Sequence, residues 1–422
     1  MGLIVQKYGG SSVANAARIK NVARRIASTA EQGHRVVAVV SAMGDTTDDL
    51  INLAHQITDD PSPRELDLLL STGEIVSSTL MAMALRSLGY EAVSLSGAQA
   101  GIRTDDTFSK ARILAVRPER ILRELDSGKI VIVAGFQGIT EGEDITTLGR
   151  GGSDTTAVAL AISLHADSCE IYTDVDGIYT ADPRLVPEAR KLNEISYEEM
   201  LELAQHGARV MHTRAVELGQ VYNMPILVRS SFNNNPGTLI HGGPFMENRN
   251  KVRGIAHDVD VAKITVIGVP DRPGIAAAIF EPLAAANVNV DTIVQNASQE
   301  GITDLSFTVS RADLAKAMRL VEPVARSIGA KGCTSASNLA KVSIVGSGMQ
   351  NTPGYAARMF RALFEAGINI EMITTSEIRI TCIINESRTK DAVQALHKAF
   401  RLEWDTESVS AEASSQTNGE MS

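Results

Sequence analysis

Leu3-Ile4-Val5-Gln6-Lys7-Tyr8-Gly9-Gly10-Ser11-Ser12 decides the fold of this chain. A short apolar run delivers a lysine, turns through two glycines and enters a helical pattern. Glycines let backbone N–H groups approach an anion that side chains would block, and Lys7 adds a point charge beside them. The order describes a phosphate cradle between a strand and a helix.

Outward from this turn, strand-like apolar runs at 35–40, 130–134, 170–173 and 226–228 alternate with helix-compatible stretches at 14–31, 64–88, 118–126, 154–164 and 197–222. The alternation predicts an α/β fold, a mostly parallel sheet covered by helices. Such sheets bind ligands beyond the carboxyl ends of their strands. Three further loops qualify there. The 41–49 loop offers hydroxyls, Gly44 and carboxylates before a helix, although an ordinary N-cap explains Thr47 and Asp48 nearly as well. The 146–156 loop brings Arg150, Gly151, Gly152 and Ser153 to the positive end of an apolar helix; capping by Ser153 or Asp154 is compatible with ligand binding. The 173–184 loop is too polar and too long for a mere connection.

With 422 residues and 44% apolar content the chain is long enough for about three domains. Its net charge of −10 offers no global field for nucleic acid or anionic lipid. Three scattered cysteines, Cys169, Cys333 and Cys382, form neither a disulfide framework nor a zinc spacing, which fits a reducing cytoplasm. No apolar stretch approaches the length needed to span a bilayer. Asp174 to Gly177 fails as a calcium loop because Leu185 stands where a bidentate glutamate belongs. Gly346-Ser347-Gly348 lacks the third glycine of a dinucleotide fingerprint, and neither a P-loop nor a zinc-hydrolase helix occurs. His206 and His212 read as surface or packed helix residues.

The second half repeats itself. Pro273 and Pro353 are 80 positions apart, as are Asn289 and Asn369, within a recurring order of strand, Pro-Gly turn, helix and strand. Each copy predicts a small α/β module beside an antiparallel sheet. Paired copies leave pockets at their seam, where Asp271, Asn289, Asp291 and Gln295 offer donors and acceptors. The domains expected are 1–240, a linker at 241–258, modules at 259–337 and 338–404, and a disordered tail at 405–422.

Taken together, Lys7 to Ser12, Ser41 to Thr47, Ser71-Thr72-Gly73-Glu74, Gly149 to Thr156, Tyr172 to Arg184, Met200 to Glu217 and Ser376-Glu377-Ile378 resemble the aspartate kinases. These are amino acid kinases fused to two tandem, ferredoxin-like ACT domains. The resemblance covers nearly the whole chain. It implies ATP-dependent phosphorylation of the L-aspartate side chain, with magnesium carried by ATP and no metal held by side chains. It implies Lys7 and Glu74 as catalytic groups. Tyr8, Gly9, Gly10, Ser41, Thr173, Asp174, Tyr179, Asp182, Pro183, Arg184 and Arg209 would bind ATP with Lys7. Asp45, Thr46, Thr47, Arg150, Gly151, Gly152 and Ser153 would bind aspartate with Glu74. Asp271, Asn289, Val290, Asp291, Gln295, Asn369, Ile370, Ser376 and Glu377 would bind effectors, lysine or threonine or both. Homo-oligomers through the ACT domains are implied, as is the option of a separate ACT-only subunit starting at Met246. The chain departs from the family pattern at Arg209, where lysine is common, and at Met211-His212-Thr213, which leaves nucleotide contact geometry open, and at Thr374 and Thr381, which leaves effector preference open.

Overall fold

The computed structural model describes residues 2–208, 210–243, 251–296, 301–350 and 352–404. Arg209, Met246, the middle of the expected linker and the 405–422 tail lie outside them. The chain divides into two units, Met1–Tyr179 with Lys191–Met246, and Thr180–Arg190 with Glu247–Ser422.

In the first unit β1 (Leu3–Tyr8), α1 (Ala16–Glu31), β2 (Arg35–Val40), α2 (Thr46–Ile57) and α3 (Pro63–Ser87) come first. They are followed by β3 (Ala92–Leu95), β4 (Ile102–Thr104), β5 (Ile113–Val116), α4 (Glu119–Asp126), β6 (Ile130–Ala134), β7 (Gln137–Ile139) and β8 (Ile145–Thr147). The unit closes with α5 (Gly152–Ser163), β9 (Ser168–Thr173), β10 (Glu194–Ser196), α6 (Tyr197–Gln205), α7 (Thr213–Tyr222), β11 (Ile226–Ser230) and β12 (Thr238–His241). Eight strands form one sheet in the order β10-β12-β11-β9-β1-β2-β6-β3, antiparallel only between β11 and β12. β2 and β6 are buried along nearly their whole length, because helices cover both faces of a parallel sheet and leave no solvent side. A smaller sheet, β5-β4-β7-β8, stands beside it.

Two expectations need correction. The stretch 197–222 is two helices: α6 ends at Gln205 with His206 as its C-cap, Gly207 takes a φ of 111°, and Ala208 N–H closes back on the Leu203 carbonyl, a left-handed stop that glycine permits. In addition, α3 is long and apolar enough, by length and composition, to cross a bilayer. Half of its apolar window is buried, and it packs on β3, β6 and α1 with Asp67 and Glu74 on its buried side, as a core helix does.

The second unit contains β13 (Gly254–Pro270), α8 (Ile275–Ala285), β14 (Ile293–Gln295), β15 (Ile302–Val309), α9 (Leu314–Ser327), β16 (Gly332–Val345), α10 (Tyr355–Glu365), β17 (Met372–Thr375), β18 (Arg379–Asn385) and α11 (Thr389–Ala399). The repeat is visible in α8 and α10, which have equal lengths and start 80 positions apart, each after a left-handed glycine, Gly274 at φ 91° and Gly354 at φ 103°. All six strands join one sheet, β14-β15-β13-β16-β18-β17.

The two modules are interlaced. Residues 261–267 of β13 pair with 332–339 of β16 in the first module, whereas Gly254–Asp258 pairs with Val345–Lys341 in the second. A four-stranded module needs a fourth strand, and no strand follows α11 among the described residues. The second module takes that strand from chain that precedes the first module, so the end of the 241–258 segment is sheet. Val252 and Ile255 accordingly share a core with Val342, Ile344, Leu363 and Leu396. Ala181 and Val186 join the same core, bringing the segment Thr180–Arg190 into this unit. Thr180 N–H donates to the Arg190 carbonyl (2.8 Å), Ile255 N–H to the Thr180 carbonyl (2.8 Å), and the Thr180 hydroxyl bonds His397 Nε2 (3.0 Å).

Ile255 is buried. Ile255→Ala in the full chain is expected to cost roughly 2–4 kcal/mol in urea unfolding followed through the second unit. A free linker at this position would make the change neutral.

Candidate active site

Period-2 alternation in β1 sends Gln6 and Tyr8 to one face of the sheet and Lys7 to the other. On that second face Lys7 Nζ lies 2.7 Å from Asp154 Oδ1, with only 12% and 10% of the two side chains exposed. Asp154 stands in the first turn of α5, a helix buried for nearly its whole length. The sequence offers Asp154 as a helix cap compatible with ligand binding but not as the partner of Lys7; the signal available was a carboxylate inside the glycine loop.

Glycines let three loops converge on this pair. A Cβ on Gly9 would come within 3.3 Å of Lys7 Nζ. Gly9 N–H donates to the Tyr172 carbonyl (3.3 Å), so this glycine clears space for Lys7, and its N–H is already engaged within the fold. A Cβ on Gly10 would meet the Ala42 carbonyl at 2.9 Å, and Gly44 N–H donates to the Gly10 carbonyl at 3.1 Å, joining the first loop to the second. Gly149 and Gly151 take φ of 76° and 71° in the third, where a Cβ on Gly151 would fall 2.2 Å from the His212 ring. His212, read above as a surface or packed helix residue, stands against that loop at the start of α7. Ser153 is buried, while Arg150 is exposed.

Side chains missed in the sequence hold the third loop. Asp67 of α3 accepts from Ser109 N–H and from both the N–H and hydroxyl of Thr147 (2.7 and 2.8 Å). Arg214 donates to the carbonyls of Leu148 and Ala111. Asp67 was hidden because nothing near it in sequence announces its partners Ser109 and Thr147, 42 and 80 positions away.

Glu74 lies in the middle of α3 and is buried, unlike a solvated helix-start residue. Its Oε1 accepts Ala42 N–H (3.1 Å), and Ser77, one turn on, donates to the Ser41 carbonyl (2.7 Å), so α3 orients the second loop. Glu74 Oε2 has no hydrogen-bond partner among the described residues. Burial, the larger effect, pushes its carboxyl up to about 7 against the pull of the Ala42 N–H. Asp45 occupies the N-cap position of α2 with no side-chain cap bond, placing Thr46, Thr47 and Asp48 inside the first turn. The Thr46 hydroxyl donates to the Met43 carbonyl (2.6 Å).

The 173–184 loop is divided between the units. Thr173, Asp174 and Tyr179 stay in the first, where Asn233 and Asn235 clamp the Asp176 carboxylate (2.5 and 2.8 Å) and Ser231 N–H donates to the Thr173 carbonyl. Asp182, Pro183 and Arg184 fold with the second. There the Arg184 guanidinium holds the Asp182 carboxyl below its usual range.

Among the effector candidates, Asn289 and Asn369 occupy equivalent exposed positions after α8 and α10, with Val290 and Ile370 half-buried beside them. Asp291 of the first module pairs with Lys341, and Glu371 of the second pairs with Lys263 (3.0 Å), a reciprocal arrangement between copies. Asp271 N–H donates to the Gly301 carbonyl, Ser376 N–H to the Arg379 carbonyl, and Glu377 accepts from Gln350, while Gln295 is exposed.

A lysine strand feeding glycine loops on a parallel sheet, followed by paired modules, defines an amino acid kinase with a regulatory half. The model of the amino acid kinase family matches residues 2–230, and that of the ACT domain matches 264–323 and 342–400. The aspartokinase of Mycolicibacterium smegmatis is 52% identical over 416 residues, covering 97% of this chain and 98% of its own. Among solved structures, E. coli aspartokinase III in complex with aspartate and ADP, in the R-state, aligns with a TM-score of 0.79 at 27% identity, covering 94% of this chain and 99% of that one. The same enzyme with lysine and aspartate, in the T-state, aligns at 0.73 and 27%, with the same coverage. The chain belongs to the aspartokinase family.

The Glu74 carboxyl titrates near 4.5 unfolded and about 7 folded. The native state therefore holds a proton that the unfolded chain releases between these values, and stability falls as pH rises through the window. Glu74→Gln is expected to remove up to about 3 kcal/mol of that decline, read from urea unfolding at pH 4.5 and 7. Equal slopes for both proteins would contradict the burial.

Proposed function

We propose that this chain transfers the γ-phosphoryl group of ATP to the side-chain carboxylate of L-aspartate, giving 4-phospho-L-aspartate at the entry to lysine, threonine and methionine synthesis in the cytoplasm. The observation that carries the reading is the buried Lys7–Asp154 pair at the meeting of the glycine loops.

The acceptor carboxylate, with a free pKa of about 3.9, is ionised at neutral pH and needs no general base. Bringing it to a polyphosphate is an electrostatic problem, met by positioning and charge neutralisation of a loose transition state. Lys7 supplies the fixed cation, held in place by Asp154. Arg150 and the Ser153 hydroxyl take the aspartate, Asp45, Thr46 and Thr47 frame it, and Glu74 fixes the loop that carries them. Thr173, Asp174 and Tyr179 line the nucleotide side. Magnesium carried in with ATP would supply further neutralisation of phosphate charge.

Lysine is an effector on this reading, supported by the lysine complex of the E. coli relative, with threonine beside it or in its place as the alternative. The effector would act near Asn289 and Asp291 or their counterparts Asn369 and Glu371, where the reciprocal lysine–acid pairs would register a bound amino acid. Assembly of copies runs through the ACT modules.

Hydroxylamine trapping tests the chemistry. Wild-type protein with ATP and aspartate should yield β-aspartyl hydroxamate, Lys7→Ala about 10²–10³-fold less, and glutamate or N-acetylglutamate little. No hydroxamate from active wild-type preparations, or a preference for another acid, would contradict the assignment.

A further inference from the structure

A cavity of about 800 Å³ lies between α1 and the strands β9 and β11 of the first unit. It is separate from the Lys7–Asp154 pair. Ile4, Glu170 and Tyr172, which line it, belong to the face of the sheet opposite Lys7.

Its walls run against the charge of the chain. Four guanidinium groups, from Arg18, Arg24, Arg25 and Arg229, face a single lining carboxylate, Glu170, in a protein of net charge −10. That carboxylate is itself engaged, accepting from Gln6 Nε2 (2.8 Å) and the Tyr172 hydroxyl (3.0 Å) and lying 3.9 Å from Arg229. The arginines are pre-positioned. Arg25 and Arg229 stand over the Tyr172 ring at 5.1 and 5.8 Å, and Arg18 stands over Phe232 at 5.0 Å. Arg25 is further pinned by the Asn233 carbonyl (2.7 Å), and Arg24 by Asn21 (2.7 Å). Ordering four like charges around one hollow is unfavourable unless an anion completes the set, and guanidinium forks suit phosphate and carboxylate oxygens. A volume of this size suits a single metabolite, while the negative chain disfavours a long polyanion.

We propose that this cavity is a second ligand site, taking a small metabolite that carries two or more phosphate or carboxylate groups. One wall reports to the nucleotide side. The Ser12 hydroxyl, just beyond Gly10, bonds the Ser231 hydroxyl (2.8 Å), which donates in turn to the Thr173 carbonyl (3.1 Å).

Calorimetric titration of the full chain at low salt, with ADP at saturation to occupy the phosphate cradle, tests it with pyrophosphate and with citrate as probes. One site per chain is expected for at least one probe, and the probe bound more tightly assigns phosphate or carboxylate as the recognised group. Arg24→Glu, an exposed change on α1, and the double variant Arg25→Gln/Arg229→Gln should each weaken binding about tenfold or more, while Lys7→Ala leaves it intact. No binding of either probe to the wild type, or, with circular dichroism unchanged, full affinity in Arg24→Glu or loss in Lys7→Ala, would overturn the proposal.

Discussion

A lysine and an aspartate withdrawn from water, 2.7 Å apart, tie the first strand of the sheet to the first turn of its most buried helix. Desolvating two charges costs several kcal/mol per ion, which only close, well-packed pairing offsets. Removing either partner strands the other, at a cost of about 3–5 kcal/mol. The pair is thus a constraint on everything around it. A side chain at Gly9 would crowd the Lys7 ammonium, Gly151 must turn left-handed so that α5 begins where Asp154 meets it, and α3 must approach closely enough for Asp67 and Glu74 to hold the flanking loops.

The second unit solves a different problem. The second ACT module has no fourth strand of its own after α11 among the described residues, and the chain meets this by running β13 and β16 through both modules, so that they share one sheet. The same unit absorbs Thr180–Arg190, a segment that interrupts the first unit in sequence, into the core built on Ile255 and Val342. Residues expected to bind nucleotide, Asp182 to Arg184, are therefore held by the packing of the regulatory half, and Asp182 is tied locally to Arg184.

Much of this was legible in the sequence where a local rule governs. The apolar runs at 35–40 and 130–134 are strands with those bounds, since buried parallel strands have no polar face to blur their ends. The α1 helix starts two residues later than expected because the Asn15 side chain caps it, accepting Arg18 N–H at 3.0 Å. What stayed hidden was non-local. Nothing near Ile255 announces pairing with a strand almost 90 positions away, and nothing near Glu74 announces that its carboxyl meets Ala42. Gly207 was a breaker in plain view, outweighed by helical periodicity on both sides. The reciprocal pairs of Lys263 with Glu371 and Lys341 with Asp291 required the two copies to be placed side by side.

The central claim, that Lys7 works as a cation only through Asp154, is open to a double-mutant cycle on kcat/KM for aspartate phosphorylation with Lys7→Met, Asp154→Asn and the two combined. If the pair acts as one unit, the double variant should lose no more than the worse single variant. Losses that simply add on the free-energy scale would contradict the account.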